Sequence, residues 1–138
     1  MSTIQLASAI IHRDDKVLAA HRADGALEDG WRFPNGKVCR GETPERSLRL
    51  AVADELGCRL QIVQPYDRVE HDYPDFRLVV DAFVCTLAPG EEPRALAYDE
   101  VRWVGRDELL DLTWREADRK LMTSLGTFWD DVFETQHL

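Results

Sequence analysis

The sequence predicts a single α/β domain in which helices cover a mixed sheet. β-rich apolar segments are interleaved with two segments of helical periodicity. The length of 138 residues is one domain's worth, so residues 1–138 are expected to form one unit. Hydrophobic residues make up 44% and charged residues 31%, too apolar a mix for a disordered chain.

Residues 4–11 are β-rich, and residues 16–21 form a second short apolar run. Arg13-Asp14-Asp15 between them is a turn signal, so the two resemble a hairpin. Residues 23–30 are polar with two glycines and read as a surface loop. Trp31-Arg32-Phe33 is short and aromatic, and Pro34-Asn35-Gly36 then breaks the chain. Residues 43–56 carry the clearest helix. Thr43 can cap it, Pro44 suits a first position that needs no amide donor, and Gly57 suits the left-handed residue that ends it. Leu48, Val52 and Leu56 form one stripe; Ser47, Ala51, Asp54 and Glu55 form the adjoining one, so Glu55 borders the buried face. Strands are expected over residues 59–63, 66–70 and 76–87, a loop over 89–93, a strand over 101–104 and a helical turn over 106–110. The last helix starts near Trp114, where Ala117, Leu121 and Leu125 repeat at helical spacing.

Composition excludes several function classes. Lysine plus arginine number 17 against 26 acids, a net charge of −9. Such a chain is repelled by phosphate backbones and anionic bilayers at long range, so neither a nucleic-acid polymer nor a membrane is an expected partner. A local basic pocket can still hold one small phosphorylated ligand. No apolar run approaches the roughly 20 residues that span a bilayer, and the start reads better as a strand than as a signal peptide. Cys39, Cys58 and Cys85 are odd in number and far apart, indicating neither a disulfide framework nor a zinc site. A cytoplasmic setting is the expectation.

Residues 36–58 read GKVCRGETPERSLRLAVADELGC. This resembles the Nudix box, G-x5-E-x7-R-E-U-x-E-E-x-G-U with U a bulky apolar residue. Gly36 opens it, Glu42 is the first glutamate, Val52 the internal apolar position, Glu55 the last glutamate and Gly57 the closing glycine. The preceding Trp31-Arg32-Phe33-Pro34-Asn35-Gly36-Lys37 resembles the W-x-F-P-G-G-K entry of MutT-type members, with Asn35 replacing a glycine. Asn tolerates a left-handed backbone better than most residues, so a left-handed turn at Asn35 is expected to survive. The resemblance implies the Nudix fold, an α/β/α sandwich with a mixed sheet between helices.

The chemistry follows from charge. A polyphosphate carries several negative charges in a small volume, and splitting it in water needs those charges neutralised and a water aimed at phosphorus. Magnesium does both and prefers hard oxygen ligands. The resemblance implies Gly36, Glu42, Asp54 and Glu55 as the metal set, for Mg2+ with Mn2+ as a substitute. It implies Glu55 and Asp54 as catalytic acids, and Glu100 (or Asp99) as an extra carboxylate from the loop before the last strand. Arg22 and Lys37 resemble phosphate contacts, Phe33 lies in the substrate-binding entry motif, and Asp118 resembles the residue set against the base edge.

The box departs from the pattern. Ala51 stands where the family has its best-known catalytic glutamate, Leu50 replaces the preceding arginine, Asp54 replaces a glutamate, and Cys39 stands where MutT-type members often carry another glutamate. Weaker metal affinity is expected. The reading is a magnesium-dependent hydrolase of phosphoric anhydrides that splits a nucleoside triphosphate to a monophosphate and pyrophosphate. Its substrate is a small nucleotide or nucleoside diphosphate derivative, and its state a monomer or homodimer. GDP-mannose mannosyl hydrolases have a similarly eroded box, but Ala97 and Tyr98 occupy the places of their Gln-His pair. A nucleotide-binding module with little catalysis is the other alternative, supported by Ala51.

Overall fold

The computed structural model describes residues 2–22 and 30–134; the expected 23–30 loop therefore lies outside it except for Gly30. The strands are β1 (Ser2–Arg13), β2 (Lys16–Arg22), β3 (Gly30–Arg32), β4 (Asn35–Lys37), β5 (Leu60–Asp72), β6 (Phe76–Leu87) and β7 (Glu100–Val104). The helices are α1 (Pro44–Leu56), α2 (Glu116–Thr127) and α3 (Trp129–Glu134), with a 3-10 turn over Arg106–Asp111. The sheet runs β3-β2-β1-β6-β5, with β4 paired to β1 and β7 to β2. β1 lies parallel to β6 from Ser2↔Phe76 to Ile11↔Cys85 and antiparallel to β2 and β4, so the sheet is mixed.

Alternation along β1 divides the core. Ala7, Ala9 and Ile11 pack beneath α1 with its Leu48, Val52 and Leu56. Ile10 points the other way, into a cluster with Trp31, Phe33 and Trp114 and with Leu121, Leu125, Trp129 and Phe133 of α2 and α3. Helices thus cover both faces, as the sequence predicts. Each fully buried leucine contributes about 1.5–3 kcal/mol. The small residues of β1 let α1 sit close to the sheet, which brings its outer stripe near β4.

Local signals explain α1. Thr43 Oγ1 accepts from the Arg46 amide at 3.2 Å, a cap worth about 1 kcal/mol. Pro44 opens the helix, and Gly57 ends it at φ 65°, its amide donating to the Ala53 carbonyl. The β1–β2 hairpin forms with Asp14 and Asp15 at φ 53° and 61°, the left-handed pair that a two-residue turn needs and that Asp tolerates.

Two expectations are corrected. Residues 59–63 and 66–70 belong to one strand, β5, whose pairing with β6 is interrupted by register shifts at Ile62/Gln64 and Pro65/Asp67. The irregularity at Pro65 reads as a gap in sequence but only bends the strand. The chain also does not turn left-handed at Asn35. Residues 35–37 stay extended as β4, with Ser8↔Asn35 and Leu6↔Lys37 in register, because unpaired β1 backbone is available there.

Candidate active site

The β4–α1 corner builds a cleft of about 490 Å³ lined by Gly36, Lys37, Cys39, Glu42, Ser47, Leu50, Ala51, Asp54 and Glu55. Gly36 is required there by proximity rather than by its φ. A Cβ on it would collide with Ala51 Cβ and lie 3.1 Å from the Ser47 carbonyl. The strand can therefore touch the helix only if residue 36 has no side chain. Ala51 thus faces the cleft, at the place where the box pattern has a glutamate.

The acids around this contact have distinct surroundings. Glu42 is exposed on the loop and accepts a hydrogen bond from Ser47 Oγ at 3.0 Å, which ties the loop to the first turn of α1. Asp54 is exposed and lines the cleft. Glu55 is half-buried. Tyr98 donates to its Oε2 at 2.9 Å, and Arg22 Nη2 lies 3.4 Å from Oε1. Arg22 also donates to the Ala97 carbonyl at 3.2 Å and lies over the Tyr98 ring, 4.8 Å from its centroid. Burial and the adjacent Glu55 carboxylate push the Tyr98 phenol well above its ordinary value, while Arg22 and the Asn35 backbone pull the other way. The phenol is therefore a donor at any ordinary pH. Lys37 is exposed at the cleft's edge.

Other expected site residues lie elsewhere. Glu100 does not join Glu55. Val101 and Trp103 pack on the α1 side, so alternation sends Glu100 and Arg102 to the opposite face. There Arg102 donates to the Glu100 carboxylate at 2.9 and 3.2 Å and lies over the Trp31 ring. Asp99 lies 3.4 Å from His21 Nδ1. Phe33 is fully buried against Trp114, with ring centroids 4.9 Å apart. Asp118 is buried beside it, accepting from Arg115 Nε at 2.6 Å and from the Phe33 amide at 3.3 Å. Burial pushes the Asp118 carboxyl up, against the opposing pull of Arg115. These bonds give Asp118 a use in joining α2 to the β3–β4 connection.

Tyr98 is the residue that sequence reasoning missed. Read against a Gln-His pair it registers only as an absence, and its partner lies 43 residues away.

Among the described residues, no three His, Cys, Asp or Glu side chains gather closely enough to hold a metal ion by themselves. Magnesium does not require that. It keeps several waters and takes one or two carboxylates together with substrate phosphates. The cleft's hard oxygen donors, Glu42, Asp54 and Glu55 around a glycine with no Cβ, fit such an ion. A groove of similar size, about 500 Å³, between the 3-10 turn and α2 offers one acid, Asp107, among its lining residues.

Residues 6–124 match the model of the NUDIX domain. A Mycobacterium tuberculosis protein (strain CDC 1551 / Oshkosh) named "Putative 8-oxo-dGTP diphosphatase 2" is 35% identical over 128 residues, covering 91% of this chain and 89% of that one. The solution structure of the DNA mismatch repair protein MutT, a Nudix hydrolase from methicillin-resistant Staphylococcus aureus 252, superimposes with a TM-score of 0.73 at 29% identity, covering 92% and 98% of the two chains. The E. coli ORF135 protein shares the fold at a TM-score of 0.80 and 24% identity, over 93% and 91%. With the box in register, its glycine pressed on α1 and the sheet sandwiched between helices, this chain belongs to the Nudix hydrolases of the MutT-like kind, which act on phosphoric anhydrides.

Proposed function

We propose that the protein is a magnesium-dependent nucleoside triphosphate pyrophosphohydrolase. The observation that supports this most is the gathering of Lys37, Glu42, Asp54 and Glu55 in one cleft around the Gly36–Ala51 contact. Water attacks a phosphorus of the triphosphate, the bridging P–O bond breaks, and nucleoside monophosphate and pyrophosphate leave. The ion, with Mn2+ as a substitute, supplies charge neutralisation on the phosphates. Glu55, Asp54, Glu42 and the Gly36 peptide would hold it. Lys37 and Arg22 neutralise the remaining phosphate charge, and the proton lost by water passes to the Asp54/Glu55 pair. Glu100 faces away from this pair, so it has no step here.

The M. tuberculosis relative's name supports a purine such as 8-oxo-dGTP as the first substrate to try. The acidic net charge supports small nucleotides over polymers, and the reading places the protein in the cytoplasm as a monomer or homodimer. In the described residues no helix is long and apolar enough to cross a membrane.

Incubation with Mg2+ and a panel of nucleotides, 8-oxo-dGTP and GDP-sugars included, tests the proposal. Pyrophosphate plus monophosphate is the expected product. Free sugar would replace it with a sugar-hydrolase reading, and tight binding without turnover with a binding module.

A further inference from the structure

We infer that Tyr98 is a positioning residue for Glu55, its phenol holding the carboxylate in the orientation in which it serves the cleft. The inference rests on the metal-binding reading of Glu55 above.

The segment carrying Tyr98 is anchored to the end of α1 by backbone. The Arg94 amide donates to the Leu56 carbonyl at 2.8 Å, and the Leu96 and Ala97 amides donate to the Glu55 carbonyl at 3.2 and 3.3 Å. These carbonyls belong to the last turn of the helix, which has no intrahelical donors to spare. The register between loop and helix is therefore set without side chains, and it plants Tyr98 beside Glu55. Tyr98 is only 7% exposed, so its ring has little freedom. Its hydroxyl meets Oε2 at 2.9 Å, while Arg22 approaches Oε1 at the longer 3.4 Å. Arg22 lies on the Tyr98 ring and on the Ala97 carbonyl, so loop, strand β2 and carboxylate form one connected unit.

A glutamate on a helix surface has rotatable torsions that a ligand must freeze on binding. A carboxylate already held loses less when it meets a cation. This matters more here than in a helix with three acids, because position 51 is alanine and only Asp54 and Glu55 remain on the cleft side.

Tyr98→Phe keeps the ring and removes the hydroxyl. Tyr66→Phe is the control: Tyr66 shares a 2.7 Å hydrogen bond with Ser124, packs in the cluster on the other side of the sheet, and has no role in the cleft. Free Mn2+ is counted by electron paramagnetic resonance while each full-length protein is titrated, with Glu55→Gln alongside. Tyr98→Phe is expected to weaken Mn2+ binding about tenfold, the loss of one hydrogen bond to a charged group, with Tyr66→Phe at the wild-type value. In turnover the same variant is expected to need about tenfold more Mg2+ for half-maximal rate, with an unchanged nucleotide KM at saturating metal. Wild-type Mn2+ affinity in Tyr98→Phe, with Glu55→Gln weakened, overturns the inference and leaves the metal reading standing. Equal affinity in wild type and Glu55→Gln overturns both. An equal loss in Tyr66→Phe assigns the effect to general loosening and overturns the positioning role.

Discussion

Glu55 and Asp118 are both acids within reach of an arginine, and they sit on opposite faces of one sheet. Glu55 and Arg22 keep 26% and 30% of their side-chain surface, and Asp118 and Arg115 keep 1% and 2%. The chemistry of the two pairs is the same; the solvent is not. At the cleft, water and ions compete for each partner, so the pair can open to admit a cation or a phosphate. At the α2 end the pair is almost wholly out of water, so breaking it costs far more than breaking an exposed one. Burial, rather than residue type, separates the two acids: Glu55 keeps access to the cleft, and Asp118 is packed away from water.

The sharpest way to break this contrast is Asp118→Ala. It removes the buried carboxylate that pairs with Arg115 and accepts from the Phe33 amide, and a loss of about 3–5 kcal/mol in urea unfolding is expected. An altered base preference with unchanged stability would instead make Asp118 a recognition residue. Glu55→Gln is the counterpart on the open face. Turnover is expected to fall about 100-fold, ~2.7 kcal/mol of barrier, with little change in the unfolding midpoint. A large loss of stability there would make the two acids alike. Gly36→Ala places a methyl against Ala51 and the Ser47 carbonyl. It is expected to cost about 1–3 kcal/mol in thermal unfolding and to lower turnover, since helix and strand must part. The smallest effect belongs to Ala51→Glu, which adds a third helix acid to the cleft beside Asp54 and Glu55 and is expected to tighten Mn2+ binding by about three- to tenfold in the same resonance titration, roughly the gain of one carboxylate. An unchanged titration would mean that residue 51 does not reach the ion.

The legible parts of the molecule are those built from short-range rules. Thr43, Pro44 and Gly57 bound α1 because capping involves residues a few positions apart, and the spacing of Leu48, Val52 and Leu56 sets which side is buried. The same local spacing puts Asp54 and Glu55 beside Ala51 along one edge of that side, and with Glu42 they line the cleft. Legibility fails where a residue's role depends on its neighbour across the sheet. Asn35 looks like a turn residue until β1 offers it a partner at Ser8. Residues 59–63 and 66–70 look like two strands because Gln64 and Pro65 interrupt the pattern, yet β6 pairs along both halves. Glu100 looks like a reserve carboxylate until the packing of Val101 and Trp103 sets which face it takes.

From the chain alone come the family's box in register, the helix that carries it, the anionic character and the eroded acid at position 51. These are properties of spacing and composition, which survive in one dimension. Folding decided the rest: that Gly36 rests on Ala51, that Tyr98 and Arg22 both attend Glu55, and that Asp118 is sealed beneath α2. Each depends on segments tens of residues apart and on how much water remains between them, and neither quantity is written in local sequence.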